Sequence, residues 1–259
     1  MKTHKRSNEW FEDDAFWRET FPFIFAEKRL AHADEMIGKV LKLAPVQGKA
    51  ALDLCCGPGR FSIALAERGF SVTGVDRTKY LLQKARLRAR AAKISVEWVQ
   101  KDMRNFVRPG AYDFVLSMFS SFGYFDLREE DAIVLGNVFE SLRSGGAFLI
   151  DLFGKETLAK LFQSALAETL PDGTTVVQQP KIVDGWSRIV TDWTVIRKGR
   201  ARKFTLQLNL YSGQELRQAM EGAGFTNVRL YGNLDGQPYG IHATRLIAVG
   251  RKSKMSRGR

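Results

Sequence analysis

Three acidic residues sit in or just after short apolar runs: Asp53 in Ala51-Leu52-Asp53-Leu54-Cys55-Cys56-Gly57-Pro58-Gly59-Arg60, Asp76 in Val72-Thr73-Gly74-Val75-Asp76, and Asp102 in Gln100-Lys101-Asp102-Met103-Arg104. An acid at the tip of a strand can accept hydrogen bonds from both hydroxyls of a ribose. A second acid one strand further on can accept from an adenine amino group, with the Met103 N–H placed to meet a ring nitrogen. Gly57 and Gly59 would let the backbone approach a ligand and aim the N–H groups of a helix N-terminus at it. Either acid alone reads as a helix cap or a turn residue. Two of them at successive strand ends, both downstream of a glycine turn, describe a nucleoside pocket.

The elements that must position these residues alternate regularly. Apolar runs predict strands at 50–54, 71–75, 94–99, 112–117 and 147–152, with helices at 60–68, 78–92 and 128–142 between them. Nearly continuous apolar strands separated by helices argue for an α/β, doubly wound parallel sheet covered on both faces. A helix at 155–165 then leads into period-two runs at 174–179, 186–197 and 201–210, with Gly173, Gly185 and Gly199 at the turns, which predicts an antiparallel β lid inserted into the fold. A helix at 212–223 and strands at 228–231 and 244–250 return to the core. The division expected is a helical, aromatic N-terminal lid segment (1–44), a core (45–153 and 212–250), the β insertion (154–211) and a basic tail (251–259). Residues 9–25 carry Trp10, Phe11, Phe16, Trp17, Phe21, Phe23 and Phe25, too much aromatic surface to leave in water, and so either pack on the core or close a pocket. A helix is expected at 26–43.

In this order the stretches resemble the class I S-adenosylmethionine-dependent methyltransferases. Asp53, Gly57 and Gly59 match the first motif of that superfamily (acid, any, Gly, any, Gly, any, Gly), with Cys55 standing in place of the first glycine. Tyr112-Asp113-Phe114-Val115, Leu142-Arg143-Ser144-Gly145-Gly146 and Gly222-Ala223-Gly224-Phe225 extend the similarity along the chain. The resemblance implies a Rossmann-like sheet of seven strands with the last antiparallel. It implies S-adenosyl-L-methionine as cofactor, held by Asp53, Cys55, Gly57, Gly59, Arg60, Asp76, Arg77, Asp102 and Met103. Carbonyls at the end of the fourth strand, near Ser117 and Met118, would receive the cofactor's amino group. The loop Met118-Phe119-Ser120-Ser121-Phe122-Gly123-Tyr124-Phe125 resembles small-molecule members, in which it borders the acceptor. A nicotinamide dinucleotide fits less well, because Ser62 stands where its fingerprint has a third glycine and hydride transfer has no use for Asp102-Met103.

Methyl transfer from a sulfonium needs a nucleophile held in line with the methyl group and shielded from water. A base is needed only for an acceptor that is protonated at working pH. Tyr124 would serve an amine and His242, in a loop between the last two strands, a phenol or hydroxyl; these are the candidate catalytic residues. Trp17, Phe119, Trp186, Arg188, Trp193, Tyr211 and Tyr239 are the candidate acceptor contacts, alternation placing Trp186 and Arg188 on one face of the insertion and Trp193 on the other. The acceptor expected is a small molecule methylated at nitrogen or oxygen. An RNA substrate is the alternative favoured by 40 basic against 28 acidic residues, a net charge of +12, and a non-catalytic nucleotide-binding module is a third reading. Much of that charge falls in 84–93 and 251–259, an expected exposed helix and an expected frayed tail. The same charge admits an acidic acceptor. Adjacent Cys55 and Cys56, the only cysteines, give no disulfide framework and no metal-ligand companions, which fits a cytoplasmic setting. No run approaches the length of a membrane span, and the start of the chain lacks the apolar stretch of a signal peptide.

Overall fold

The computed structural model describes residues 9–253, so His4 and most of the expected basic tail lie outside the described residues. A single 3-10 turn at Trp10–Glu12 leads into α1 (Asp14–Ile24), α2 (Glu27–Leu30) and α3 (Ala33–Leu43). The helix expected at 26–43 is therefore broken at Ala31–His32, a break that no glycine or proline announces. Then come β1 (Ala50–Leu54), α4 (Arg60–Glu67), β2 (Ser71–Asp76), α5 (Lys79–Ala91), β3 (Glu97–Gln100), β4 (Tyr112–Ser117), α6 (Arg128–Ser141) and β5 (Leu142–Leu152). The insertion holds α7 (Lys155–Leu161), β6 (Leu166–Thr169), β7 (Thr175–Val183), β8 (Arg188–Arg197) and β9 (Arg200–Asn209). The chain returns through α8 (Gly213–Gly222), β10 (Thr226–Tyr231) and β11 (Leu246–Arg251).

Seven strands form one sheet in the order β10-β11-β5-β4-β1-β2-β3. β1 pairs parallel with both β2 and β4, while β11 runs antiparallel to both β5 and β10. The chain order reverses at β1, so a crevice opens beyond the carboxyl ends of β1 and β4, the place where open α/β sheets bind ligands. Core residues of β1, β2, β4 and β5 are buried nearly end to end because helices cover both faces. One face packs Leu52, Val115, Phe148 and Ile150 beneath α6 and α8; the other packs Ala51, Phe114, Leu116 and Leu149 beneath α3 and α4. α3 turns Ala33, Ile37 and Val40 inward, the spacing of one helical face.

The insertion folds as a second sheet, β6-β7-β8-β9, antiparallel throughout. Lys198 and Gly199, both at positive φ, close the β8–β9 hairpin in two residues, as the twist of the strands favours. Its inner face packs Val176, Val195 and Phe204 on Phe16 and Phe23 of α1. The aromatic N-terminal segment is thus wedged between the two sheets. At the other end, Arg251 closes β11 and Lys252 exchanges backbone hydrogen bonds with Gly145 and Gly146 (2.8 and 3.0 Å), so the sheet continues two residues into what the sequence suggests is a tail.

One buried carboxylate joins the insertion to the core. Asp131 on α6, 1% exposed, accepts from the Tyr211 hydroxyl at 2.7 Å and from Asn209 Nδ2 at 2.9 Å, and Asn209 Nδ2 also donates to the Phe125 carbonyl at 3.0 Å. Replacing Asp131 by Ala strands two buried donors, each worth about 1–3 kcal/mol. Asp131→Ala is expected to lower stability by about 3 kcal/mol, or Tm by roughly 6–12 °C in calorimetry for a domain of this size. A loss below about 1 kcal/mol would mean that the node does not hold the insertion in place.

Candidate active site

The turn after β1 is built from backbone that few residues tolerate. Cys55, Gly57 and Gly59 all take positive φ (60°, 55° and 77°), a conformation that costs a side-chain-bearing residue about 1–2 kcal/mol. Glycine at 59 has a steric reason as well, since a Cβ there would lie 2.5 Å from the Trp98 ring; Gly74 faces the same ring at 2.6 Å. Trp98 on β3 reaches across β2 and packs behind the turn. The turn is tied down by Cys56 N donating to the Val75 carbonyl at 2.9 Å and Gly57 N donating to Asp76 Oδ2 at 2.8 Å. Cys55 thus occupies the expected position of the first glycine, with its Sγ 3.5 Å from Met103 Sδ. Burial pushes both Cys55 and Cys56 thiols well up, which keeps them protonated.

The three acids differ in their surroundings. Asp53, 2% exposed, accepts from Ser62 Oγ at 2.5 Å, and burial pushes its carboxyl up to about 7 against the pull of that hydrogen bond. Asp76 accepts one backbone N–H on each oxygen, from Gly57 and from Thr78 (both 2.8 Å), and burial raises its carboxyl too. With the Thr78 side chain also on it, the carboxyl keeps acceptor capacity for at least one further donor. Asp102 is also partly buried, yet the Arg104 backbone N–H and guanidinium on it (2.8 and 2.7 Å) hold its carboxyl below the usual range. Arg104 in turn binds Glu9 and Glu130, each at 2.8 Å, so a single guanidinium pins Asp102, the N-terminal segment and α6 together.

A cavity of about 810 Å³ lies in the crevice, an adequate size for a nucleoside cofactor with a small second ligand. Its wall brings together Asp53, Cys55, Gly57, Arg60, Asp76, Arg77, Asp102, Met103 and Met118 with Trp17, Phe119, Tyr124 and Trp193. Gly59 and Ser117 lie just behind the wall, the first under Trp98 and the second 3% exposed at the end of β4. The N-terminal segment roofs the space: Trp10 packs on Tyr124 with ring centroids 4.8 Å apart and donates its Nε1–H to the Gln207 carbonyl at 3.0 Å, while Trp17 Nε1 donates to the Phe11 carbonyl at 2.9 Å.

Five of the residues expected at the acceptor do not line this cavity. Trp186 ends a 3-10 turn (Asp184–Trp186) at the far end of the insertion, 42% exposed, and Arg188 beside it donates to the Asp126 carbonyl. The face of β8 turned to the cavity is Trp193's. Tyr211 belongs to the Asp131 node. Tyr239 donates its hydroxyl to Glu156 Oε2 at 2.8 Å and packs on Gly213, and His242 is exposed in the loop before β11. Tyr124 is on the wall, and burial raises its phenol well above the ordinary value, which keeps it a neutral hydroxyl at physiological pH. The sequence reading did not single out Arg29, Phe153, Glu168 or Arg245, all of which line the cavity. Arg245 offers only a weak signal, a charge at the start of an apolar strand, and Phe153 only an aromatic just past one.

Residues 51–146 match the family model described as a methyltransferase domain. A relative named as a methyltransferase in Geobacillus sp. (strain WCH70) is 28% identical over 60% of this chain, which spans 62% of that relative's length. The cypemycin N-terminal methyltransferase of Streptomyces sp. is 27% identical over 79% of this chain and 84% of its own. Among solved structures, an S-adenosylmethionine-dependent methyltransferase from Clostridium acetobutylicum ATCC 824 superposes with a TM-score of 0.76 over 93% of this chain and 98% of that one at 14% identity, a likeness of fold. Residues 51–146 thus match a methyltransferase domain, and the fold is that of S-adenosylmethionine-dependent methyltransferases of known structure. Among the described residues no helix is long and apolar enough to cross a membrane.

The raised Asp53 carboxyl has a measurable consequence. Between about pH 4 and 7 the folded protein keeps a proton there that the unfolded chain releases, so stability falls as pH rises through that window, by about 1 kcal/mol per pH unit. Asp53→Asn is expected to remove that component, so that its stability relative to wild type improves from pH 5 to pH 7 in denaturant titrations. Parallel pH curves for the two proteins would refute the assignment.

Proposed function

We propose that the chain moves the methyl group of S-adenosylmethionine to a nitrogen of a small-molecule acceptor enclosed beneath the aromatic segment. The observation that carries this reading is that the tips of β1, β2 and β3 supply one wall of one cavity. Asp76, with acceptor capacity left on its carboxyl, suits the ribose hydroxyls; Asp102 and the Met103 N–H suit the adenine edge, with Arg77 alongside. Asp53, the Cys55–Gly59 turn, Arg60 and the carbonyls near Ser117 and Met118 suit the amino-acid end. The cofactor supplies an electrophilic methyl group on a sulfonium.

The protein's share is then to orient the acceptor and keep water out. Trp10, Phe11, Trp17 and Tyr124 close an apolar space in which a nucleophile is held near its point of attack without hydration. Among the described residues, no group on the acceptor side is suited to remove a proton. Tyr124 stays neutral, Glu168 is engaged by Lys28 and Arg29 at 3.1 Å each, and the His32 side chain is 71% exposed beside Glu35. An acceptor entering such a site has to bring its own lone pair. An amine does so once it has lost a proton to water, whereas an alcohol does not, and this favours nitrogen over oxygen. The name of the cypemycin N-terminal methyltransferase points the same way. The roofed, aromatic cavity supports a small acceptor over an RNA, and its acceptor-side space supports an enzyme over a plain nucleotide-binding module.

Two outcomes check this reading. Asp76→Asn is expected to weaken S-adenosylhomocysteine binding by roughly 10–100-fold in calorimetry, the value of charge-assisted hydrogen bonds to a ligand; unchanged affinity would remove the cofactor assignment. Tyr124→Phe is expected to lower turnover by less than about tenfold and leave the pH–rate profile in place. A fall of 10²–10⁴ with loss of the rise in rate toward higher pH would make the phenol a general base after all.

A further inference from the structure

The turn after β4 is the most strained part of the cavity wall. Phe119 and Ser120 are consecutive residues with side chains, both at a φ of 60°. Asp151 at the end of β5, 3% exposed, holds them there. Its Oδ2 accepts from Phe119 N at 3.1 Å, its carbonyl from Ser120 N at 2.9 Å, and its Oδ1 from Arg245 Nε at 2.6 Å. Ser120 Oγ then accepts from Phe153 N at 3.1 Å. The outcome is a ring, Phe119, left 43% exposed on the cavity wall and parallel to Phe61 at 5.8 Å. Two guanidiniums lie by it, Arg60 at 3.9 Å and Arg245 at 5.6 Å from its centroid, and Arg245 also lies 4.1 Å over Phe153.

A guanidinium stacked on a ring is held flat while its in-plane N–H groups stay available to an oxyanion. Arg245 uses Nε on Asp151 and reaches Ser120 Oγ with Nη2 only at 3.5 Å. Arg60 uses Nη1 on the Arg29 carbonyl at 2.6 Å and forms no ion pair among the described residues. Asp151, with both oxygens engaged, offsets one of the two positive charges. Burial pulls Arg60 down to about 10 against the opposing pull of the nearby Asp53 and Asp151 carboxyls, neither of which reaches it as a direct ion pair. S-adenosylmethionine brings a sulfonium and an ammonium against one carboxylate, so loading the cavity adds positive charge on balance. Even with the cofactor's carboxylate on one edge of Arg60, this corner is left short of an anion.

We propose that the Arg60–Phe119–Arg245 wall is an oxyanion-binding subsite, and that the methyl acceptor is a small amine bearing a carboxylate or a phosphate that docks there. This rests on the methyl-transfer reading above and names the class of substrate for that site. The strained turn has a role in it: it presents Phe119 as the platform against which both guanidiniums are aligned.

The test titrates the protein, loaded with S-adenosylhomocysteine, with benzoate, phenyl phosphate and the neutral isostere benzamide in a calorimeter. At least one anion is expected to bind tenfold or more tighter than benzamide, and whichever of the two is tighter identifies the oxyanion. Arg245→Met is expected to reduce that preference to less than twofold while S-adenosylhomocysteine affinity stays within twofold of wild type. Should Arg245→Met fail to fold because Asp151 is left buried and unpaired, Arg245→Lys keeps the ion pair and Phe119→Leu keeps both charges; each is expected to lose about fivefold in anion affinity. Benzamide binding as tightly as the anions, neither anion binding tighter than about 10 mM, or variants that keep the full preference would overturn the subsite alone. Failure of S-adenosylhomocysteine to bind wild type would bring down the methyl-transfer reading and this one with it.

Discussion

The hydrogen bond from the Gly57 amide to Asp76 links the tip of β1 to the tip of β2, and the site depends on it. Parallel strands end in exposed carbonyls and a crevice; what turns the crevice into a binding wall is a main chain bent sharply enough to leave room. Here the bend uses three residues at positive φ, one of them Cys55. Such a turn stays bent only if the surrounding structure fixes it. Asp76 holds its front, and Trp98, filling the space left by Gly59 and Gly74, supports its back. The carboxylate that anchors the turn is the same one suited to the ribose, so the backbone geometry and the binding group are set by a single side chain.

From that anchor the enclosure follows. The N-terminal segment has an apolar underside and an acidic edge, and each meets its complement. Its rings lie on Tyr124, Phe125 and the inner face of the small sheet, while Glu9 and Glu12 pair with Arg104 and Arg77 beside the adenine-side acid. Exposed ion pairs contribute little by themselves, but the Arg104 pairs are mostly shielded, with side chains between 11 and 18% exposed. The roof is therefore attached to the cofactor end of the cavity by charge and to the acceptor end by packing. Removing either attachment opens the space to water, which methyl transfer must exclude.

The features legible in the sequence were those set by local rules. Apolar runs between glycine turns give the succession of strands and helices, the Asp53, Asp76 and Asp102 tips, and the antiparallel insertion, because burial and turn chemistry act over a few residues. What stayed hidden depends on contacts between distant segments. Nothing near Tyr211 reveals that its hydroxyl meets Asp131, 80 residues away, and nothing near Tyr239 reveals Glu156 at 83 residues' separation. Both read as binding aromatics when taken alone. Trp186 and Arg188 were misplaced for a different reason: alternation gives two faces without saying which is inward, and the inward face of β8 was decided by Phe16 and Phe23 packing on Trp193. Arg245 was invisible because its meaning lies in Asp151 and Phe153, 94 and 92 residues earlier.

The net charge of +12 makes the same point about scale. As a total it suggests a polyanion, and a groove for RNA would need its lysines and arginines along an open surface. The charges that bear on the cavity are instead few and individually placed. Arg77 and Arg104 are committed to carboxylates around the adenine side, Arg29 to Glu168, and Arg245 in part to Asp151. Arg60 alone among these makes no direct salt bridge among the described residues, Asp53 and Asp151 acting on it at longer range, and it lies where the Cys55–Gly59 turn meets Phe119. A half-buried cation with no direct ion pair favours a ligand that brings negative charge to it. The position of that one guanidinium therefore bears on the cavity more than the surplus of 12 does, because it sets a positive group at one defined corner of the wall.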